Sequence, residues 1–144
     1  MVRVLVIDDE KPIRLLCRVN LEAEGMEVVE AGNGLEGLER ARADAPDAIL
    51  LDVMMPGLDG WQVAEELLGD PRTQDIPIVF LTARAELRDR ARGLDLGGVE
   101  YVTKPFNPLE LAPLMERMVE RGVGAAGGRA EKLATLRALV QGER

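Results

Sequence analysis

The sequence predicts an α/β domain in which helices cover both faces of a parallel sheet. Three observations predict it. Five short apolar runs alternate with longer amphipathic stretches, as strand–helix–strand units with right-handed crossovers require. The apolar runs are nearly continuous, which suits strands buried on both faces. Two of them stop abruptly on carboxylates, one at Asp8-Asp9 and one at Asp52.

The first strand is Val2 to Ile7, interrupted only by Arg3. Lys11 to Glu24 is a helix, with Ile13, Leu16, Cys17, Asn20 and Leu21 at spacings of three and four and Gly25 as its stop. Met26 to Ala31 is the second strand. Gly34 to Ala43 is the second helix, with Leu35, Leu38 and Ala41 expected inward. Asp47 to Asp52 is the third strand. Asp59 is a good N-cap for a helix to about Leu68, with Trp61, Ala64, Leu67 and Leu68 on one side. Pro77 to Thr82 is the fourth strand, Glu86 to about Leu94 a charge-rich helix with few anchors, and Val99 to Thr103 the fifth strand. Asn107 caps the next helix and Pro108 opens it; Leu111, Leu114, Met115, Met118 and Val119 form its apolar stripe. Pro113 predicts a bend between Leu109 and Pro113.

The expected domain spans residues 1–121. Gly122 to Gly128 then reads as a flexible linker, and residues 129–144 hold a short amphipathic helix carrying Leu133, Leu136 and Val140. The chain has 144 residues, 47% of them hydrophobic, enough for one core. A net charge of −8 argues against unaided binding to nucleic acid. No apolar run approaches the roughly 18 residues of a membrane span, and no signal-peptide pattern opens the chain. A lone Cys17 fits a reducing compartment, so the expected setting is cytoplasmic with no membrane partner. The sequence contains no histidine and no serine. That excludes Ser-His-Asp and Cys-His chemistry and any histidine metal ligand.

The parallel layout gathers polar groups at one sheet edge. Asp8 and Asp9 end the first strand, Asp52 the third and Thr82 the fourth, and Lys104 follows the fifth. The strand-order reversal usual in such sheets opens a crevice between the first and third strands. Three carboxylates converging there repel one another, and one lysine does not compensate them. A hard divalent ion with oxygen ligands does, and a site that keeps waters suits magnesium. Taken singly, Asp52 is a turn residue, Asp8-Asp9-Glu10 an acidic helix start and Lys104 a solvated lysine. Together, at four strand ends, polar groups of complementary type make those bland readings jointly far less apt.

Val6-Ile7-Asp8-Asp9-Glu10, Leu51 to Gly60, Leu81-Thr82-Ala83 and Tyr101 to Phe106 resemble the receiver domain of two-component response regulators, in order and with that family's spacing over about residues 2 to 121. The resemblance, closest in kind to a stand-alone chemotaxis regulator, implies a flavodoxin-like sheet of order 2-1-3-4-5. It implies that Asp52 accepts a phosphoryl group from a histidine kinase or a histidine phosphotransfer protein. It further implies Mg2+ bound by Asp9, Asp52 and the Met54 carbonyl, with Asp8 completing the site largely through water. Lys104 pairs with a phosphoryl oxygen next to a cis bond to Pro105. Thr82 and the Ala83 amide bind the phosphoryl group, and Thr82 and Tyr101 form the switch.

The resulting expectation is a phosphorylation-dependent switch, not an enzyme. Its responding face comprises the 86–94 helix, the fifth strand and the helix Pro108 to Arg121. The output protein is unspecified, and the tail helix is expected against that face or a second copy of the chain, a phosphorylation-dependent homodimer. A phosphorelay intermediate is the alternative. A magnesium-dependent phosphatase of the haloacid-dehalogenase type is a remote one, because it requires Asp-x-Asp and residue 10 is Glu. The usual Ala-Asp before the switch aromatic is replaced by Gly97-Gly98-Val99-Glu100.

Overall fold

The computed structural model describes residues 1–82 and 99–121, without the side chains of 99–101 and 121. Five strands form one parallel sheet: β1 (Arg3–Ile7), β2 (Glu27–Ala31), β3 (Ala48–Asp52), β4 (Ile78–Thr82) and β5 (Val99–Thr103), in spatial order 2-1-3-4-5. The expected sheet is thus present. The described helices are α1 (Lys11–Ala23), α2 (Gly34–Asp44), α3 (Gly60–Gly69) and α4 (Leu111–Arg121). The helices expected at 86–94 and in the tail, with the linker, lie outside the described residues.

Side-chain alternation divides the strands between two cores. On one face Leu5, Ile7, Ile49, Leu51, Ile78 and Phe80 meet the inner sides of α2 and α3. On the other, Val4, Val6, Leu50, Val79 and Leu81 meet Cys17 and Leu21 of α1 and Leu111, Met115 and Met118 of α4. Odd and even residues of one strand therefore serve opposite layers, which is why the sequence shows no polar gaps. Parallel register sets Ile7 beside Leu51 and Asp52 beside Leu81, so β1, β3 and β4 end together.

Two helix faces and one helix start differ from expectation. Leu16 of α1 is exposed, and Asn20 spends its amide on the Leu16 carbonyl, 2.8 Å away. The inward line of α1 is Cys17 and Leu21, with Ile13 partly buried against them. Leu35 of α2 is 68% exposed, because Gly34, Gly37, Leu38 and Ala41 face the sheet instead. A Cβ on Gly37 would lie 2.6 Å from Ile7 Cδ1, so bare glycine backbone brings α2 onto β1. Pro113 does not interrupt a helix. Pro108–Glu110 form a 3-10 turn and α4 starts at Leu111, which leaves Pro113 in the first α-turn, where its N–H has no helical partner to lose.

The start of α3 bears on the site. Asp59 and Gln62 close a reciprocal capping box, with 3.0 Å from Gln62 N to Asp59 Oδ1 and 2.9 Å from Asp59 N to Gln62 Oε1. Gly60 then packs against the backbone of Asp52 and Val53. A Cβ there would lie 2.3 Å from the Asp52 carbonyl oxygen. Trp61 packs on Phe80 in a tilted pair, ring centroids 5.0 Å apart and planes at 43°, fixing α3 over β4. Gly60→Ala should therefore lower the stability measured by chemical denaturation by about 1–3 kcal/mol, since backbone atoms must move to admit the methyl group. A variant as stable as wild type would contradict this packing.

Candidate functional site

β1 and β3 end side by side, and each delivers a buried carboxylate. Asp8 is fully buried and Asp52 is 3% exposed. The Asp8 side chain accepts from the Glu10 amide at 2.9 Å, and its own N–H donates to the Ala31 carbonyl at 3.2 Å, across the end of β2. Asp52 Oδ1 accepts from the Met54 amide at 3.3 Å, which turns the chain as it leaves β3.

Lys104 arrives from the end of β5. Its amide donates to the Thr82 carbonyl at 2.7 Å, continuing the β4–β5 ladder by one bond, and the following bond to Pro105 is cis, as expected. Its Nζ lies 3.0 Å from Asp8 Oδ2, 3.4 Å from Asp52 Oδ1 and 3.8 Å from Glu10 Oε1. Thr82 is buried at the end of β4, beside Thr103 of β5. Asp8, Asp52 and Lys104 are thus in direct contact, with Thr82 on the neighbouring strand end. Ala83 lies outside the described residues. Tyr101 is on β5 opposite Phe80, and its side chain lies outside what the structure describes.

Charge dominates this cleft. Burial and, next, the charge of Asp8 push the Asp52 carboxyl up to about 7, and its contact with Asp9 acts the same way; Lys104 and the Met54 amide oppose them. Burial works against the Lys104 ammonium, but Asp8, Asp52 and Glu10 outweigh it and hold the group charged. Among the described residues, Asp8, Asp9 and Glu10 form the one group whose carboxylate oxygens lie close enough to share a cation, within 4.8 Å. Asp52 is not one of that group, but with Asp8 and Glu10 it lies within 4 Å of the single Lys104 ammonium, and Asp9 adds a further carboxylate beside them. All offered donors are hard oxygens and the charge is under-compensated, so the residues fit a hard divalent cation such as magnesium.

Two participants escaped the sequence reading. Glu10 joins the carboxylate group, and its adjacency to Asp8-Asp9 was the available signal. Arg14, one turn into α1, donates to the Asp8 carbonyl at 2.7 Å; nothing in the spacing marked it. Met54, expected to lend its carbonyl, has a 66% exposed side chain at the rim.

The response regulator receiver domain profile matches residues 4–116. The chain belongs to that family. Among curated relatives of this receiver domain, the "DNA-binding dual master transcriptional regulator RpaA" of Synechocystis sp. is 40% identical over 121 residues, 84% of this chain and 50% of that protein. The "Phosphate regulon transcriptional regulatory protein PhoB" of Escherichia coli is 43% identical over 119 residues, covering 83% and 52%. The chain spans about half the length of these relatives. The receiver domain of the Pseudomonas aeruginosa sensor histidine kinase PA1611, solved with a magnesium ion coordinated in its active site cleft, superposes with a TM-score of 0.71 at 29% identity, over 82% of this chain and 97% of that one. These sequence relatives are named transcriptional regulators. They do not support the expected likeness to a stand-alone chemotaxis regulator, nor the expected exclusion of nucleic acid. Among the described residues no helix is long and apolar enough to cross a membrane.

The raised Asp52 carboxyl predicts a pH dependence of the metal-free receiver domain. A carboxyl whose folded value exceeds its unfolded one binds its proton more tightly when folded. The associated stability is complete below the unfolded value near pH 4 and is lost as pH rises through about 7. Asp52→Asn removes that loss. In chelator, the melting temperature of Asp52→Asn relative to wild type should climb between about pH 4 and about pH 7. A difference that stays constant across that range would contradict the electrostatic description of the cleft.

Proposed function

We propose that the chain is a phosphorylation-dependent signalling switch in which Asp52 accepts a phosphoryl group from a histidine kinase or a histidine phosphotransfer protein. The observation that carries this reading is the buried Asp8–Lys104–Asp52 contact at the carboxyl edge of a parallel sheet. A carboxylate alone is a weak nucleophile toward a phosphoryl group, and positioning plus charge neutralisation supply most of the acceleration. Asp52 is positioned on both sides, by the β3 ladder before it and the Met54 amide and Gly60 contact after it.

In the proposed step an Asp52 oxygen attacks phosphorus in line with the leaving nitrogen of a phosphohistidine. The P–N bond breaks, a P–O bond forms, and the imidazole leaves with the electron pair and takes up a proton. Asp9, Asp52 and the Met54 carbonyl, completed by Asp8, are the groups proposed to hold Mg2+, and the magnesium ion in the active site cleft of the Pseudomonas receiver domain supports magnesium as the cation. The ion, when bound, neutralises charge on the transferring oxygens. Lys104 pairs with a phosphoryl oxygen, leaving its partner Asp52 once that carboxylate has become an acyl phosphate. Thr82 and the Ala83 amide receive another oxygen.

The switch follows from contacts made only in the phosphorylated state. Movement of Thr82 toward the phosphoryl group frees space into which Tyr101 turns, and β5 and α4 respond together with the expected 86–94 helix, which lies outside the described residues. We assign this to the cytoplasm and to binding, not turnover of a substrate. The relatives named as transcriptional regulators support gene control as the output. On this reading DNA contact belongs to what the receiver domain controls, since the chain itself carries a net charge of −8.

Asp52→Asn should reduce labelling by acetyl phosphate or a cognate kinase to background, and excess chelator should do the same to wild type. Labelling that survives either treatment overturns the assignment. Met54, two residues after Asp52, offers no group that orients an attacking water. Met54→Asn should therefore speed loss of the phosphoryl group in a dephosphorylation time course, and an unchanged or slower rate would contradict that role.

A further inference from the structure

The ends of β1 and α1 are joined by an ion network that the phosphoryl chemistry above does not use. Arg14 sits on α1, one turn beyond the acidic segment. Its Nη1 donates to the main-chain carbonyl of Asp8 at 2.7 Å. Its Nε donates to Glu30 Oε1 on β2 at 3.1 Å. The second Glu30 oxygen accepts from Arg18 Nη1 at 2.7 Å, and Arg18 Nε reaches Glu22 at 3.2 Å. The Arg14 and Glu30 side chains are only 17% and 27% exposed, so this part of the network is not a solvated surface pair of negligible worth.

The Asp8 carbonyl is the hinge of the acidic segment. At this point the chain leaves β1, and the Asp8 and Asp9 carboxylates must both be presented to one cleft although consecutive residues of a strand face opposite sides. Three bonds fix the departure. The Asp8 N–H goes to Ala31, the Asp8 carboxylate takes the Glu10 amide, and the Asp8 carbonyl takes Arg14. Two of them are charge-assisted, the Glu10 amide on the Asp8 carboxylate and the Arg14 guanidinium on the Asp8 carbonyl, and only the Arg14 bond ties the peptide that joins Asp8 to Asp9 to a side chain. Asp8 is fully buried, so without Arg14 its carbonyl loses its charged partner away from bulk water.

We propose that Arg14, held in place by Glu30, is a positioning residue for the magnesium site: it fixes the peptide plane between Asp8 and Asp9 and thereby the direction in which both carboxylates are offered. This rests on the magnesium-dependent reading of the cleft. Arg14 is not among the residues proposed to hold the ion or the phosphoryl group; it acts through the backbone that carries the ligands. Groups of this kind, one layer out from the ligands, set metal affinity by orienting the donors.

Isothermal titration of the full chain with Mg2+ tests it. Arg14→Met should raise the dissociation constant about tenfold, the lower end of the loss seen when such outer partners are removed, with an unchanged far-UV circular dichroism spectrum. Arg18→Met breaks the same ion network without touching Asp8 and should shift the constant by less than about twofold, since it leaves the ligand-bearing backbone alone. An unchanged affinity in Arg14→Met, or an equal loss in Arg18→Met, overturns the proposal. If Arg14→Met fails to fold, Glu30→Gln replaces it: the weakened anchor should still lower magnesium affinity, and wild-type affinity in that variant overturns the proposal. Wild-type protein that takes up no Mg2+ overturns the reading beneath it instead, so the two failures are distinguishable.

Discussion

Lys104 Nζ stands within 4 Å of Asp8, Asp52 and Glu10 at the carboxyl edge of the sheet, and it is one positive charge against three carboxylates, with Asp9 beside them. A cleft of that composition is electrostatically incomplete. Burial first, and then the charge of Asp8, keep the Asp52 carboxyl up at about 7, and the unbalanced charge gives a hard cation something to complete. The same lysine is drawn toward whichever carboxylate or phosphoryl oxygen is most negative. A change of charge on Asp52 is thus felt directly by the end of β5.

The fold creates this constraint by geometry and holds it by packing. Parallel strands in register end together, so residues remote in sequence, such as Asp8 and Lys104, meet without a dedicated loop to bring them there. The two cores keep the strand ends from relaxing apart. Gly37 seats α2 against Ile7 of β1, and Gly60 seats α3 against the Asp52 carbonyl. The repulsion among the acids is therefore borne by a packed sheet, and Arg14 braces the strand end where two of them are adjacent.

The sheet was legible because every central strand is buried on both faces and reads as an unbroken apolar run, as Leu50-Leu51 and Phe80-Leu81 show. Asp52, Asp8 and Lys104 were legible because each stands immediately at a strand end, and topology alone brings strand ends together. Helix faces were less legible. Leu16 and Leu35 fit the helical period as well as their buried neighbours do, but glycine at 34 and 37 lets α2 approach along a different line, and periodicity takes no account of how close two backbones come. Pro113 suggested a kink because sequence does not show that the preceding turn is 3-10 and that the α-helix begins at Leu111. Arg14 was invisible because its partner is a main-chain carbonyl, which every residue has, so no residue type marks the pairing.

The central claim is that the cleft is completed by a divalent cation bound among these carboxylates. The most direct test is the melting temperature of wild type and Asp9→Ala as a function of Mg2+ concentration. A ligand that binds only the folded state stabilises it by mass action. The account predicts that magnesium raises the wild-type melting temperature and that Asp9→Ala loses most of that rise while standing at or above wild type in its absence, because one repelling charge is gone. An equal magnesium-induced rise in both proteins would place the ion elsewhere and contradict it.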